Sequence, residues 1–305
     1  MPSQGNIILT YALLVFIWAT TPLAIVWSVS DLHLMWALVL RLSLALPLAV
    51  LVIVILKVKF PFHRVALHSY LAGSFSLIGS QIFTYMATSY LSSGMIALMF
   101  GLAPIMAGLI GRFAFGHKLQ TMQWFGMCVA VVGLSVICFS GGASQHVHPV
   151  GILLMLMSVL TYAMSIFWVK HVNADVEPMA QATGSILVST LAAWCLIPFI
   201  WQYVPTALPS AKSLLALGYT VIMASVIAMF CYFKLVQNIQ ATTLSLTTVM
   251  TPMIAIVIGA FLNHEQLSLL VFVGALILLL GLFIYFYRDL VASRKLAQKT
   301  KHSSY

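Results

Sequence analysis

Residues 104–133 read PIMAGLIGRFAFGHKLQTMQWFGMCVAVVG, and residues 252–281 read PMIAIVIGAFLNHEQLSLLVFVGALILLLG. At this offset of 148 positions, Pro104 matches Pro252, Ala107 matches Ala255, Ile110 matches Ile258, Gly111 matches Gly259 and Phe113 matches Phe261. Leu119 and Leu267, Gly126 and Gly274, and Gly133 and Gly281 match as well. Chance supplies Leu and Ile identities in an apolar chain. Coincident Pro and Gly are harder to obtain that way, because each fixes a backbone feature. The chain therefore reads as an internal duplication.

Around these stretches the 305-residue chain is 62% hydrophobic and only 6% charged, with mean hydropathy +1.08. A helix of about 20 apolar residues crosses a bilayer. Runs of that order recur ten times, at 7–27, 34–56, 67–91, 93–115, 121–140, 150–169, 180–201, 214–234, 241–262 and 267–287. The expected fold class is an all-α integral membrane protein with ten transmembrane helices. Met1–Asn6 has no basic segment, and Ile7–Trp27 exceeds the apolar core of a signal peptide, so the first run is read as a helix of the fold. Leu91-Ser92-Ser93-Gly94 is hardly more than a turn, which makes the third and fourth helices antiparallel neighbours.

A net charge of +9 raises the question of nucleic acid, and the placement of the fourteen Lys and Arg answers it. With the N-terminus cytoplasmic, twelve fall on the cytoplasmic side: Lys57, Lys59, Arg64, Arg112, Lys118, Lys170, Lys234, Arg288, Arg294, Lys295, Lys299 and Lys301. Lys212 lies outside and Arg41 within the second helix. The pattern points to a multi-pass protein of the cell (inner or plasma) membrane with both termini cytoplasmic. The tail 291–305 then faces anionic lipid, and no nucleic-acid partner is expected.

Each half holds five helices, an odd number, so the second enters the membrane in the opposite sense. Residues 1–145 and 146–290 are thus expected to form two inverted five-helix repeats. Such repeats can expose a central site alternately to each side of the membrane.

Trp18-Ala19 and Tyr162-Ala163 in the first and sixth helices, Arg41 in the second, Pro104 and Pro252 in the fourth and ninth, and the Asn263-His264-Glu265 turn together form a recognisable pattern. Over nearly its whole length the sequence resembles the EamA-like family of the drug/metabolite transporter superfamily. The resemblance implies export or exchange of small metabolites through a cavity between the halves. Such families usually carry a Gly/Glu-type turn in both halves. Glu265 keeps the acid while Gly116-His117-Lys118 lacks it, which weakens any role for an acid in the first half.

Independently of that likeness, four helices place polar groups on one face at three- and four-residue spacing. The third carries Gln81, Thr84, Tyr85, Thr88 and Ser92, and the sixth carries Ser158, Thr161, Tyr162, Ser165 and Trp168. The first offers Tyr11, Trp18 and Thr21, and the ninth offers Thr247, Thr248 and Thr251 around Pro252. A Ser or Thr in a membrane helix can instead bond its own backbone or pack against a neighbour. A primary amide needs a partner beyond its own turn, so Gln81 stands apart. The cavity candidates are Trp18, Arg41, Gln81, Tyr85, Tyr162 and Thr251. Pro104 and Pro252 free helical carbonyls and are read as gating bends, with a static kink as the alternative. Gly126, Gly133, Gly274 and Gly281 read as close helix contacts. Arg41 either anchors the helix by reaching outward or attracts a substrate carboxylate.

All five acids, Asp31, Asp175, Glu177, Glu265 and Asp289, lie in loops or at helix ends. A buried proton relay or sodium cage has no residues to build it. An intramembrane enzyme finds no HExxH, no pair of embedded acids and no G-x-S-x-G, so none is expected. A channel finds no ring of acids. Cys128, Cys138, Cys195 and Cys231 sit singly in apolar helices, and His146-x-His148 is an isolated loop pair, so neither metal nor cofactor is expected. An interior with one Arg and no acid suits amino acids or related zwitterions. Other small solutes, such as drugs, sugars or nucleotide-sugars, remain the alternative. The expected partners are a small-molecule substrate and membrane lipid, with the protein a monomer or weak homodimer.

Overall fold

The computed structural model describes residues 4–116, 118–139, 148–238, 247–263 and 268–302, and among them the protein is all-α. Helices α1 (Gln4–Ser28) and α2 (Leu34–Ile55) are long apolar runs, each with one internal proline, Pro22 and Pro47. Helix α3 (Arg64–Ser74) passes through a π-helical turn, Phe75–Gly79, into α4 (Ser80–Ala87). Ser92 caps α5 (Ser93–Phe100) by accepting the Met95 N–H at 3.4 Å. Gly101 and Leu102 interrupt the helix before α6 (Ala103–Phe115). Pro104 occupies the first turn of α6, where a missing N–H costs little.

Helices α7 (Thr121–Phe139), α8 (Pro149–Val172) and α9 (Pro178–Trp194) follow, and a short α10 (Ile197–Ile200) runs into a 3₁₀ turn. Helix α11 (Ala211–Tyr219) continues through a second π-helical segment, Thr220–Ile227, into α12 (Ala228–Asn238). Helices α13 (Thr247–Leu262) and α14 (Leu269–His302) complete the chain.

Among the described residues, six helices are singly long and apolar enough to cross a membrane. The pair Pro178–Trp194 and Ile197–Tyr203, bent by 49°, makes a seventh if counted as one span. Thr121–Ile137 and Met250–Leu262 are shorter apolar helices. The apolar runs of the sequence therefore do not all become uninterrupted spans. His117, His146, His264, Glu265, Leu267 and the segment around Gly142 lie outside the described residues.

The surface is that of a membrane protein. Phe113, Phe199, Phe261 and Leu269 each expose more than three quarters of their area, far beyond the apolar patches a soluble monomer tolerates. Inside, Met95, Leu98, Met99, Ile137, Met155 and Leu278 pack into one buried cluster shared by α5, α7, α8 and α14.

Helices α7 and α14 pack on each other more extensively than any other pair. A Cβ on Gly126 would lie 2.7 Å from the Gly281 carbonyl oxygen, and one on Gly133 would lie 2.7 Å from that of Gly274. The two backbones touch because these four positions carry no side chain. The glycine pairs that mark the duplication in the sequence face one another in space.

Candidate functional site

Two connected cavities occupy the middle of the bundle, one of about 130 Å³ and one of about 290 Å³, and Trp18, Ser76, Tyr162 and Met229 line both. The first holds most of the residues expected at a cavity. Trp18 from α1, Arg41 from α2, Gln81 from α4, Tyr162 from α8 and Thr251 from α13 all line it. Five of the six cavity candidates thus converge from five different helices.

Tyr85, the sixth, is not among the lining residues. It is fully buried against Ile25, Leu38, Leu42 and Ile78, and its hydroxyl has no hydrogen-bond partner among the described residues. Ser158 and Thr84 are likewise drawn out of the cavity. The Ser158 hydroxyl bonds those of Ser80 and Thr84 at 2.8 Å each, fastening α8 to α4. Ser165 donates to the Ala72 carbonyl at 2.6 Å and ties α8 to α3. Of the two prolines, Pro252 lines the cavity and Pro104 does not. A Cβ on Gly101 would lie 3.3 Å from the Pro252 ring, so the break in the α5–α6 run abuts the proline of α13.

Arg41 is 4% exposed and sets the electrostatics of the cavity. Its Nε donates to Ser225 Oγ at 2.9 Å and its Nη1 to Gln81 Oε1 at 3.2 Å. The Ser225 hydroxyl in turn donates to the Thr220 carbonyl, five residues back along the π-helical segment, at 2.9 Å. Both partners of the guanidinium are neutral, and no acidic side chain lines the cavity among the described residues. Thr251 Oγ1 is buried without a hydrogen-bond partner among the described residues. Phe100 meets Tyr162 edge to face at 6.1 Å, and Trp18 lies 5.5 Å from the Tyr232 ring. These rings supply an apolar wall. Spacing alone did not single out Ser76 or Ser225. Each sits in a π-helical segment, where the usual three- and four-residue period fails.

The second cavity leads from this chamber towards Lys170, Asn173 and Pro178. The opposite end of the bundle is tied shut. Asp31 accepts hydrogen bonds from the Ser210 hydroxyl and, at 3.0 Å, from the Ser210 N–H. Ser213 donates to the Ser28 carbonyl at 3.0 Å, and Trp27 Nε1 donates to Asn263 Oδ1 at 2.8 Å. The Lys212 ammonium sits 4.4 Å from the centre of the Trp27 ring, and the His33 ring stacks on Tyr203 at 4.2 Å. The Ser210 hydroxyl, then its N–H, and more weakly Lys212, hold the Asp31 carboxyl below its ordinary value of 3.8. A depressed carboxylate contributes above its unfolded value and is lost only as pH falls through the folded one, so this tie persists at neutral pH. Burial holds His33 below its ordinary 6.5, which favours the neutral ring.

A family model described as "EamA-like transporter family" matches residues 5–139 and again 149–287. The chain is 26% identical over 211 residues to "Uncharacterized inner membrane transporter YedA" of Escherichia coli, covering 69% of this chain and 67% of that protein. It is 22% identical over 205 residues to the "Probable amino-acid metabolite efflux pump" of the same organism, covering 63% of this chain and 67% of the other. It is 21% identical over 273 residues to "Uncharacterized transporter YoaV" of Bacillus subtilis, covering 88% and 92%. A solved crystal structure of a protein superimposes with a TM-score of 0.63 at 17% identity, covering 96% of this chain and 99% of that one, and so shares the fold.

Proposed function

Starting from the fact that the chain belongs to the EamA-like transporter family, we propose that it is a secondary transporter that exports or exchanges amino acids or related zwitterions by alternating access. The observation that carries this reading is the composition of the central cavity. It offers aromatic faces, neutral hydrogen-bonding groups and a single cation, with no acid among the described lining residues. A zwitterionic solute with an apolar side chain meets each of these with a matching group. A multiply phosphorylated solute would call for several basic residues. The relative named as a probable amino-acid metabolite efflux pump supports the same class. Nothing in this chemistry calls for a covalent step, so the protein is read as a carrier and not an enzyme.

The proposed arrangement is ten spans in two inverted repeats, 1–145 and 146–290, in the inner membrane, with the tail 291–305 and the N-terminus cytoplasmic. The protein would act as a monomer or weak homodimer. The two separately matched segments, 5–139 and 149–287, support the division. In this orientation the accessible end beside Lys170 faces the cytoplasm and the tied end faces outward. Reporters inserted at Gly142 and fused after Ser303 are expected to report external and cytoplasmic positions respectively. Finding both on one face would remove the ten-span arrangement and the inverted repeat together.

The transport reading is tested by loading cells with a hydrophobic dipeptide and following the intracellular amino acid. Cells expressing the protein are expected to clear it faster than cells without. Gln81→Ala strips Arg41 of one of its two partners and is expected to lower efflux more than Ser158→Ala. Tyr85→Phe removes only an unpartnered hydroxyl and is expected to leave efflux unchanged. Pro252→Ala is expected to slow it with insertion intact, by restoring a hydrogen bond inside α13 and stiffening that helix. Equal clearance with and without the protein, at equal expression, would end the export reading.

A further inference from the structure

Arg41 has five N–H donors, and the structure occupies two of them, Nε by Ser225 and one on Nη1 by Gln81. The remaining N–H groups, both of Nη2 and one of Nη1, have no partner among the described residues. Ser225 and Gln81 fix the plane of the fork from α4 and from the π-helical segment Thr220–Ile227. Arg41 also lines the cavity. The buried Thr251 hydroxyl, a second cavity-lining group, is also without a partner among the described residues. A guanidinium fixed by two partners and left with three N–H groups at a cavity wall can take a carboxylate.

Resting on the transport reading above, we propose that Arg41 is the subsite for the substrate carboxylate and that the cavity changes sides only when that subsite is filled. In the conformation with one end accessible, the guanidinium can keep its charge in contact with water. Alternating access requires an intermediate closed at both ends, in which water is largely excluded. A guanidinium with only two neutral partners is costly there, whereas one paired to a carboxylate is compensated. No described acidic side chain in the cavity can replace the ligand as counter-charge. The loaded protein therefore reorients and the unloaded one does not. The consequence is exchange: one carboxylate solute leaves for each that returns.

The test uses the full-length protein purified and reconstituted into phosphatidylethanolamine/phosphatidylglycerol vesicles. The probes are radiolabelled leucine, phenylalanine and threonine, each with its carboxamide, which keeps the shape and the amine but lacks the negative charge. Acids are expected to move saturably and their carboxamides about tenfold more weakly or not at all. Efflux from vesicles loaded with an acid is expected to rise about tenfold when the outside buffer holds an unlabelled acid. Arg41→Gln is expected to level the acid and the amide while the protein remains monodisperse. Arg41→Lys keeps the charge but loses the fork, and is expected to recover only part of the preference.

Saturable movement of carboxamides as fast as acids in the unsubstituted protein would overturn the carboxylate subsite while leaving the transport reading intact. Efflux into solute-free buffer as fast as into buffer holding an acid would overturn the requirement for a filled site. Movement of neither acids nor amides would bring down the amino-acid reading and this proposal with it. The acid–amide comparison needs no substitution, so a variant that fails to fold does not decide the matter.

Discussion

Gly133→Ala is expected to lower the thermal midpoint of the detergent-purified protein by about 5–10 °C, corresponding to about 3 kcal/mol. The new methyl would point into the backbone of α14, against Leu278 N and the Gly274 carbonyl oxygen. A side chain in the way could rotate, but backbone cannot move without driving the helices apart. Gly281→Ala meets α7 in the same manner, at Ala130 and Gly126, and is expected to behave alike. The contrasting substitution is Gly218→Ala in α11, where nothing beyond the neighbouring residues and backbone of its own helix lies within 4 Å of the added methyl. There the effect is expected to be neutral or stabilising by up to about 1 kcal/mol, since alanine is the better helix former. A thermal midpoint for Gly133→Ala equal to that of Gly218→Ala would show that the α7–α14 contact is not held by glycine.

Deleting one residue from either π-helical segment, Ile78 from Phe75–Gly79 or Met223 from Thr220–Ile227, is expected to abolish most efflux while the protein still inserts. A π turn is an α-helix with one residue too many, and removing that residue restores the ordinary ladder on both sides. The two segments lie in the third and the eighth apolar runs of the sequence. Both touch the cavity, through Ser76 and Leu77 on one side and Ala224 on the other. They are also where a helix bends most easily. A regular helix in their place would hold the cavity on one side, with flux reduced about tenfold or more on the scale of a 1.4 kcal/mol change. Wild-type efflux from both deletion proteins would show that the bend is static.

The close glycine contacts were legible because glycine reports on backbone and not on partners. Gly126 and Gly133 had to lie against something close, and the structure brings them to Gly281 and Gly274. The cavity was mostly legible too, since Trp18, Gln81, Tyr162 and Thr251 had few ways to be satisfied within their own helices. Two features escaped for one physical reason. A search at three- and four-residue spacing assumes a regular ladder, and an inserted residue rotates everything after it. Within the regular α4 that follows, the polar residues divide between two neighbours, Gln81 towards Arg41 of α2 and Ser80 with Thr84 towards Ser158 of α8. Tyr85 falls among Ile25, Leu38 and Leu42. The partner of Arg41 in the second half, Ser225, was beyond any local pattern, because 184 residues separate the two.

That separation bears on how the protein is made. Synthesis runs at about 5–20 residues per second. After Arg41 is translated, Gln81 follows 40 residues later, within seconds. Ser225 follows 184 residues later, on the order of ten to forty seconds after Arg41 at the same rate. Throughout that interval α2 carries a charge with at most one of its two final partners, which makes an early, permanent seat in the hydrocarbon unfavourable. The second helix gains its last hydrogen-bond partner only when the eighth arrives. On this account the first half cannot mature ahead of the second, and a ribosome stalled between Gln81 and Ser225 would leave behind a chain marked for degradation by its own unpaired arginine.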